Sequence, residues 1–193
     1  MKALIIIMLM MILTGCDIFE TRSPESPNTP RTNWVPATSP GILITNFKNS
    51  FSDKSTENYL NCFVDSVLTG RAFSFIPTSE GITLFPTLFT NWTLFSERSY
   101  FENIKSKLRE NSSFSLSCFN ENEGTIQGDS MTYSADYLLF VEHGIAEIAK
   151  EYHGHLQFTL FRNMRGEWAV SFWRDSKRDE YQTWSELKGR FSY

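Results

Sequence analysis

Three histidines are the first residues of this chain whose types and spacing could support chemistry. His153 and His155 lie two positions apart and would share one face of a strand, while His143 could approach across a connection. A zinc ion would need a third and usually a fourth ligand, for which Glu142 and Glu151 are the nearest candidates. The spacing matches no zinc signature, and histidines beside a connection are ordinarily solvated, so we expect neither a metal nor another cofactor.

Two of the three cysteines, Cys62 and Cys118, fall at positions that the hydrophobic pattern predicts to be buried. No histidine or basic residue adjoins either thiol, so the sequence offers no activated nucleophile. Two alternatives stay open, a disulfide between them or two separate thiols that behave as small apolar residues. Glycine-rich phosphate loops and Ser/His/Asp motifs are also absent from the sequence.

Aromatic side chains provide a third candidate site, either a pocket for an apolar ligand or simply part of the core. The candidate pocket residues are Tyr59, Phe63, Trp92, Tyr137 and Phe158. Trp173 alternates with Phe172 along its strand, so we expect it on the outer face of the sheet. There it would form a homodimer contact or be covered by the C-terminal segment around Trp184.

Three helices are predicted to precede the sheet. The first begins at Gly41, where apolar residues start to recur every three to four positions. The second is capped by Asp53 or Ser55 and continues to Gly70, and the third is capped by Ser96. A brief strand over 72–76 and an irregular, Phe-rich loop over 77–95 separate the second helix from the third.

Alternation with a period of two predicts four strands with one buried face each. Their inward residues are Phe114-Leu116-Cys118, Tyr133-Ala135-Tyr137-Leu139-Val141, Leu156-Phe158-Leu160 and Trp168-Val170-Phe172. Residues 163–166 form a tight connection, so the last two strands should pair as a hairpin. The fold class is therefore α+β, with three N-terminal helices packed in the concave face of a curved, mainly antiparallel sheet.

The composition limits the functional classes. The chain has 193 residues, the length of a single domain, and carries 22 acidic against 18 basic residues for a formal charge of −4. This balance lacks the basic surface that a nucleic-acid partner requires. An aromatic content of 15% excludes a disordered chain, because that much ring surface is buried only in a packed core.

The N-terminus has the pattern of an exported protein. Lys2 precedes an apolar run over 3–13 that is too short to cross a bilayer and is typical of a signal peptide. The segment Leu13-Thr14-Gly15-Cys16 resembles the lipobox of bacterial lipoproteins. The resemblance implies that Cys16 carries diacylglycerol and fatty acyl chains such as palmitate, which would hold the protein on a membrane outside the cytoplasm. Asp17 leaves the choice between inner and outer membrane open.

These patterns divide the chain into three parts. Residues 1–15 are the predicted signal peptide, and residues 16–40 are the acylated cysteine followed by a Pro/Ser/Thr-rich tether. Residues 41–193 are the folded domain. Trp34 is the one large apolar residue late in the tether and could dock on the domain, sit at the membrane interface or be solvated.

The order of the elements resembles the nuclear transport factor 2-like superfamily, which includes ketosteroid isomerase-like proteins. The likeness is closest to an uncharacterised branch of bacterial lipoproteins. It rests on Tyr59, Trp92, Gly166-Glu167-Trp168-Ala169-Val170, Trp173-Arg174-Asp175 and Trp184-Ser185-Glu186-Leu187-Lys188-Gly189. The resemblance implies a cone-shaped fold with a mostly apolar pocket at its open end.

The same resemblance names a catalytic alternative. Ketosteroid isomerase-like chemistry needs a carboxylate base and two oxyanion donors, for which Asp65, Tyr59 and Asp136 are the stand-ins by residue type. Asp65 is expected to face water on its helix. We therefore expect a non-catalytic module that binds a small ligand or a protein. The alternatives are a small-molecule isomerase or hydrolase, and a structural subunit that dimerises through its sheet.

Overall fold

The structure, a computed structural model, describes residues 33–192. The predicted signal peptide, the lipobox with Cys16 and the tether up to residue 32 lie outside the described residues. Trp34 is half-buried and packs against the core, and the carbonyl of Ala37 accepts a hydrogen bond from Trp168 N at 2.7 Å. Residues 33–37 thus pack on the domain, upstream of the boundary predicted at residue 41.

The first predicted helix is confirmed as α1, Pro40–Ser52. The hydroxyl of Ser39 caps it by accepting a hydrogen bond from Ile42 N at 3.3 Å, and a proline at the first position suits the helix start. Leu43 and Phe47 face the sheet and are buried.

The second predicted helix is wrong as a single element, because it forms two short helices, α2 at Thr56–Leu60 and α3 at Ser66–Thr69. Between them the backbone pairs with the edge of the sheet. Val170 N donates to the carbonyl of Cys62 at 2.8 Å, and Val64 N donates to the carbonyl of Val170 at 3.0 Å. These hydrogen bonds to the sheet replace the ones that would have continued the helix.

The segment predicted to be an irregular loop contains two helices. Strand β1 (Ser74–Ile76) is followed by α4 (Ser79–Leu84) and by a 3-10 helix at Leu88–Asn91. The next helix is α5, Leu94–Lys107. Its N-cap is Thr93, and Ser96 is the third helical residue of a capping box, so the predicted cap was placed three positions late.

The four predicted long strands are confirmed and join β1 in one five-stranded sheet. They are β2 (Phe114–Glu123), β3 (Ser130–Val141), β4 (Glu151–Arg162) and β5 (Trp168–Ser176). The order is β1-β5-β4-β3-β2, in which β1 pairs parallel with β5 and the other pairs are antiparallel. The hairpin between β4 and β5 is confirmed.

A bulge in β5 overturns the prediction for Trp173. Val170 pairs with Leu160 and Phe172 pairs with Thr159, which leaves Ser171 as an extra residue on its strand. The extra residue reverses the alternation beyond it, so Trp173 is fully buried in the core and is not an outer-face contact. It does meet Trp184, with ring centroids 4.6 Å apart, but inside the domain.

The last element, α6 at Trp184–Arg190, is not among the predicted helices. Thr183 and Glu186 form a capping box at its start, and its first six residues are buried. Helix α6 packs on α4 and β4 and fills the interior between the sheet and the other helices. In the part of the chain that the structure describes, no helix combines the length and hydropathy needed to cross a membrane.

Candidate functional site

The three stand-ins for catalytic residues occupy three different environments. Asp65 is exposed at the start of α3, where its carboxylate accepts a hydrogen bond from Val67 N at 2.8 Å. Tyr59 is fully buried and donates to Glu97 at 2.7 Å. Asp136 lies on the outer face of the sheet. The structure therefore does not bring these residues into one site.

The predicted aromatic pocket residues belong to the packed core. All five are buried, and neighbouring rings are in contact, as between Tyr59 and Phe63 with centroids 5.1 Å apart. Phe158 lies 5.4 Å from Trp173 by the same measure. Trp92 donates its indole N–H to Glu97 at 2.7 Å, and Tyr137 contacts Trp184 of α6. These residues therefore do not line one common pocket, because α6 occupies the interior between them.

Helix α6 is fixed in the interior by hydrogen bonds that it donates to two tyrosines and an aspartate. Trp184 donates its backbone N–H to Tyr137 and its indole N–H to Tyr100, both at 2.8 Å. Asp175 accepts hydrogen bonds from Tyr137 at 2.7 Å and from the backbone and hydroxyl of Ser185 at 2.7 and 2.6 Å. Burial raises the pKa of Asp175 and raises the pKa values of both tyrosines well above their ordinary range.

An ion pair lies at the centre of the interior. The ammonium of Lys188 donates to the carboxylate of Glu97, and both side chains have 0% exposure. Tyr59 and Trp92 also donate to this carboxylate, so both of its oxygens are satisfied. Burial lowers the pKa of Lys188 to about 8, against the opposing effect of Glu97.

Sequence reasoning missed this centre. Glu97 was not among the candidate residues, and Lys188 entered only as part of the closing segment 184–189 on which the resemblance rests. One signal was present, because the Thr183-x-x-Glu186 spacing predicts a helix start and places Trp184 and Lys188 on one face.

An open groove lies at the edge of β5, beside the residues that lead into the domain. Its cavity volume is about 440 Å³. Apolar walls come from Trp34, Leu60, Phe63, Phe161, Trp168 and Ala169. The charged residues in its lining are Asp65 and Glu167, and no Lys, Arg or His among residues 33–192 lines it.

Two guanidinium groups border this groove. Arg71 lies over the ring of Phe161 at 4.1 Å from the centroid, and Arg162 lies over Trp168 at 5.7 Å. Two rings of the groove wall, those of Phe161 and Trp168, therefore each bind an arginine of the protein on one face.

The prediction that His153 and His155 share one face of a strand is confirmed, because both lie on the outer face of β4, whereas His143 lies elsewhere, opposite Leu108. His155 hydrogen-bonds Asp136 at 2.7 Å on the outer face of the sheet, and His153 stacks on Tyr181 with centroids 3.9 Å apart. His143 contacts the carbonyl of Ala149 at 2.9 Å. Within the described range, no three His, Cys, Asp or Glu side chains are grouped so that they could hold a metal ion.

The two described cysteines, Cys62 and Cys118, are free thiols, so the disulfide alternative is wrong. Burial raises the pKa of both, to about 11 for Cys118. Neither thiol has the lowered pKa of a nucleophile.

No protein-family model and no curated protein sequence matches this chain. A nuclear transport factor 2 (NTF2-like) superfamily protein from Salmonella enterica aligns over 72% of this chain and 87% of its own, with TM-score 0.53 and 10% identity. A protein provisionally named an aromatic ring hydroxylase, from Novosphingobium aromaticivorans, aligns over 77% and 92% with TM-score 0.54 and 12% identity. A provisionally named dehydratase of the NTF2-like family, from Streptomyces avermitilis, aligns over 72% and 93% with TM-score 0.52 and 9% identity.

At these identities the likeness shows the fold. The chain has the NTF2-like cone fold, an α+β architecture with a curved, mainly antiparallel five-stranded sheet and a few helices. Within that fold, the interior of this chain is filled by its own α6.

Proposed function

We propose that this chain is a membrane-anchored extracytoplasmic binding module whose ligand site is the groove at the edge of β5. The observation that carries the proposal is a contrast between two places. The interior is filled by the buried residues of α6, whereas the groove is open and has a volume of about 440 Å³. A volume of roughly 300–1,000 Å³ with apolar walls and a few polar groups is typical of small-molecule sites.

The lining favours a small amphipathic cation. Asp65 uses one carboxylate oxygen to cap α3, which leaves the other oxygen for a ligand. Glu167 adds a second acid, and the rings of Trp34 and Trp168 provide apolar surface. A ligand with an aromatic body and an ammonium group would satisfy both features, through burial of its ring and attraction to the acids.

The groove is tested with 2-phenylethylammonium and its matched anion, phenylacetate. We expect the cation to shift the indole N–H resonances of Trp34 and Trp168 in a saturable way, and the anion to bind at least tenfold more weakly. Ala169→Phe fills the groove and should abolish the shifts, while Ala146→Phe, at an exposed position elsewhere, should leave them unchanged. Equal binding of both probes, or binding that survives Ala169→Phe, would refute the proposed site.

The membrane anchor is proposed from the lipobox. Acyl chains on Cys16 would hold the domain at a membrane surface, because two or more chains together give stable anchoring. Metabolic labelling with palmitate in a bacterial host should label the full-length chain. Cys16→Ala should lose the label and release the protein from the membrane fraction, and an unlabelled, membrane-free wild type would contradict the anchor.

A further inference from the structure

The surroundings of Lys188 are built entirely by other elements of the chain. Its ammonium faces one carboxylate, from Glu97, and four aromatic rings. The four rings are those of Phe75, Trp173, Trp92 and Tyr100, with centroids 3.8, 3.8, 5.1 and 5.6 Å from the lysine nitrogen. Phe75 lies on β1, Trp173 on β5, and Glu97 and Tyr100 on α5, whereas α6 brings only the lysine.

The carboxylate is held in place without help from the lysine. Tyr59 and Trp92 each donate a hydrogen bond to Glu97 at 2.7 Å, one to each oxygen. Both donors are buried, and neither belongs to α6. The carboxylate and the rings therefore form a preorganised binding site, and α6 supplies the ammonium group that binds in it.

The rings select for a cation. Among the described residues, Glu97 is the only side chain that accepts a hydrogen bond from Lys188, so the remaining N–H groups face ring surfaces. Ring faces attract an ammonium more strongly when it is desolvated than when it is exposed.

We propose that the interior of this domain is a binding site for an unbranched primary alkylammonium, which the chain fills with its own Lys188. This inference does not depend on the groove at β5, because it concerns different residues on the inner side of the sheet. Helix α6 then acts as an intramolecular ligand: it presents an ammonium group at the end of an unbranched aliphatic stem. An alkylammonium ligand therefore binds in this site when the side chain of Lys188 is absent from it.

Removal of the lysine side chain beyond Cβ tests the proposal. Lys188→Ala deletes a fragment that corresponds to n-propylammonium. We expect n-propylammonium chloride to bind this variant, to change the fluorescence of Trp92 and Trp173, and to raise Tm by roughly 3–6 °C at ten times its Kd. Sodium chloride at equal ionic strength and neutral 1-propanol should each have at most a third of this effect.

Two further variants give the controls. Lys107→Ala removes an exposed lysine and should show no specific response to n-propylammonium. Glu97→Gln combined with Lys188→Ala should lose the preference for n-propylammonium over 1-propanol, because the carboxylate is gone.

Each outcome decides the proposal. If Lys188→Ala is folded, saturable and cation-selective binding supports it, and the absence of binding or equal binding of 1-propanol overturns it. If the variant is unfolded, recovery of native tryptophan fluorescence on refolding with n-propylammonium, and not with sodium chloride or 1-propanol, supports it. Failure to recover under that condition overturns it.

Discussion

Two aspartates with similar hydrogen bonding show how the inner and outer sides of the sheet differ. Asp175 on the inner side accepts from Tyr137 and Ser185, and Asp136 on the outer side accepts from Asn120 and contacts His155. Burial raises the pKa of Asp175 despite its partners, whereas the hydrogen bond from Asn120, followed by that of His155, lowers the pKa of Asp136. Burial, more than the number of partners, therefore decides the direction of the pKa shift.

The largest expected effect comes from breaking the inner ion pair on one side only. Lys188→Met leaves the carboxylate of Glu97 buried without its counter-charge, so the free energy of unfolding should fall by about 3–5 kcal/mol. The double variant Glu97→Gln, Lys188→Met removes both charges and should recover most of this loss. Denaturant unfolding monitored by tryptophan fluorescence measures both values.

An exposed ion pair between α5 and α2, which involves the residue next to Glu97, is the control for this prediction. Arg98 and Glu57 are paired at 2.7 Å, with both side chains largely exposed. Glu57→Gln should change the free energy of unfolding by less than about 1 kcal/mol. If Lys188→Met costs no more than Glu57→Gln, the inner and outer pairs would be energetically equivalent and the comparison would fail.

The second largest expected change in stability comes from the close packing of α6. A Cβ atom on Gly189 would lie 2.1 Å from the ring of Phe85, whereas one on Gly41, in α1, would meet nothing within 4 Å. Gly189→Ala should therefore destabilise the domain by about 1–3 kcal/mol through overpacking. Gly41→Ala should instead stabilise it by about 0.4–1 kcal/mol, because alanine restricts the unfolded chain. Thermal unfolding of the two variants measures the difference, and a stabilising Gly189→Ala would show that α6 is loosely packed.

The pH dependence of stability gives the smallest and sharpest contrast. Above the ordinary aspartate pKa of 3.8, folded Asp175 keeps a proton that the unfolded chain releases, so its contribution to stability falls as the pH rises through its raised pKa. Asp136 has the opposite sign, because its lowered pKa gives a contribution that is lost as the pH falls below 3.8. The free energy of unfolding is measured across acidic pH for the wild type, Asp175→Asn and Asp136→Asn. The difference between the wild type and each variant, plotted against pH, should slope in opposite directions for the two variants.

The regular elements could be predicted from the sequence because their patterns reflect local physics. The alternation of Tyr133, Ala135 and Tyr137 matches a strand with one buried face, and the spacing of Leu43 and Phe47 matches a helix. These patterns gave the α+β class, the four long strands and the last hairpin.

The errors arose where tertiary contacts override local preference. The stretch from Cys62 to Val64 has helical spacing, but its backbone hydrogen-bonds with Val170 instead. The partnership of Glu97 and Lys188 spans most of the domain, and no local pattern in the sequence connects two residues so far apart. The candidate groove was missed because it joins segments that are also distant along the chain, including Trp34 and Trp168.

The bulge at Ser171 gives β5 a place where strand length can vary. Loss of Ser171 would restore an uninterrupted ladder and still leave Trp173 and Asp175 facing inward, because the extra residue is the one removed. Loss of Arg174 instead would turn Asp175 outward and break its contacts with Ser185. A deletion in this strand should therefore be tolerated at the bulge and not beyond it.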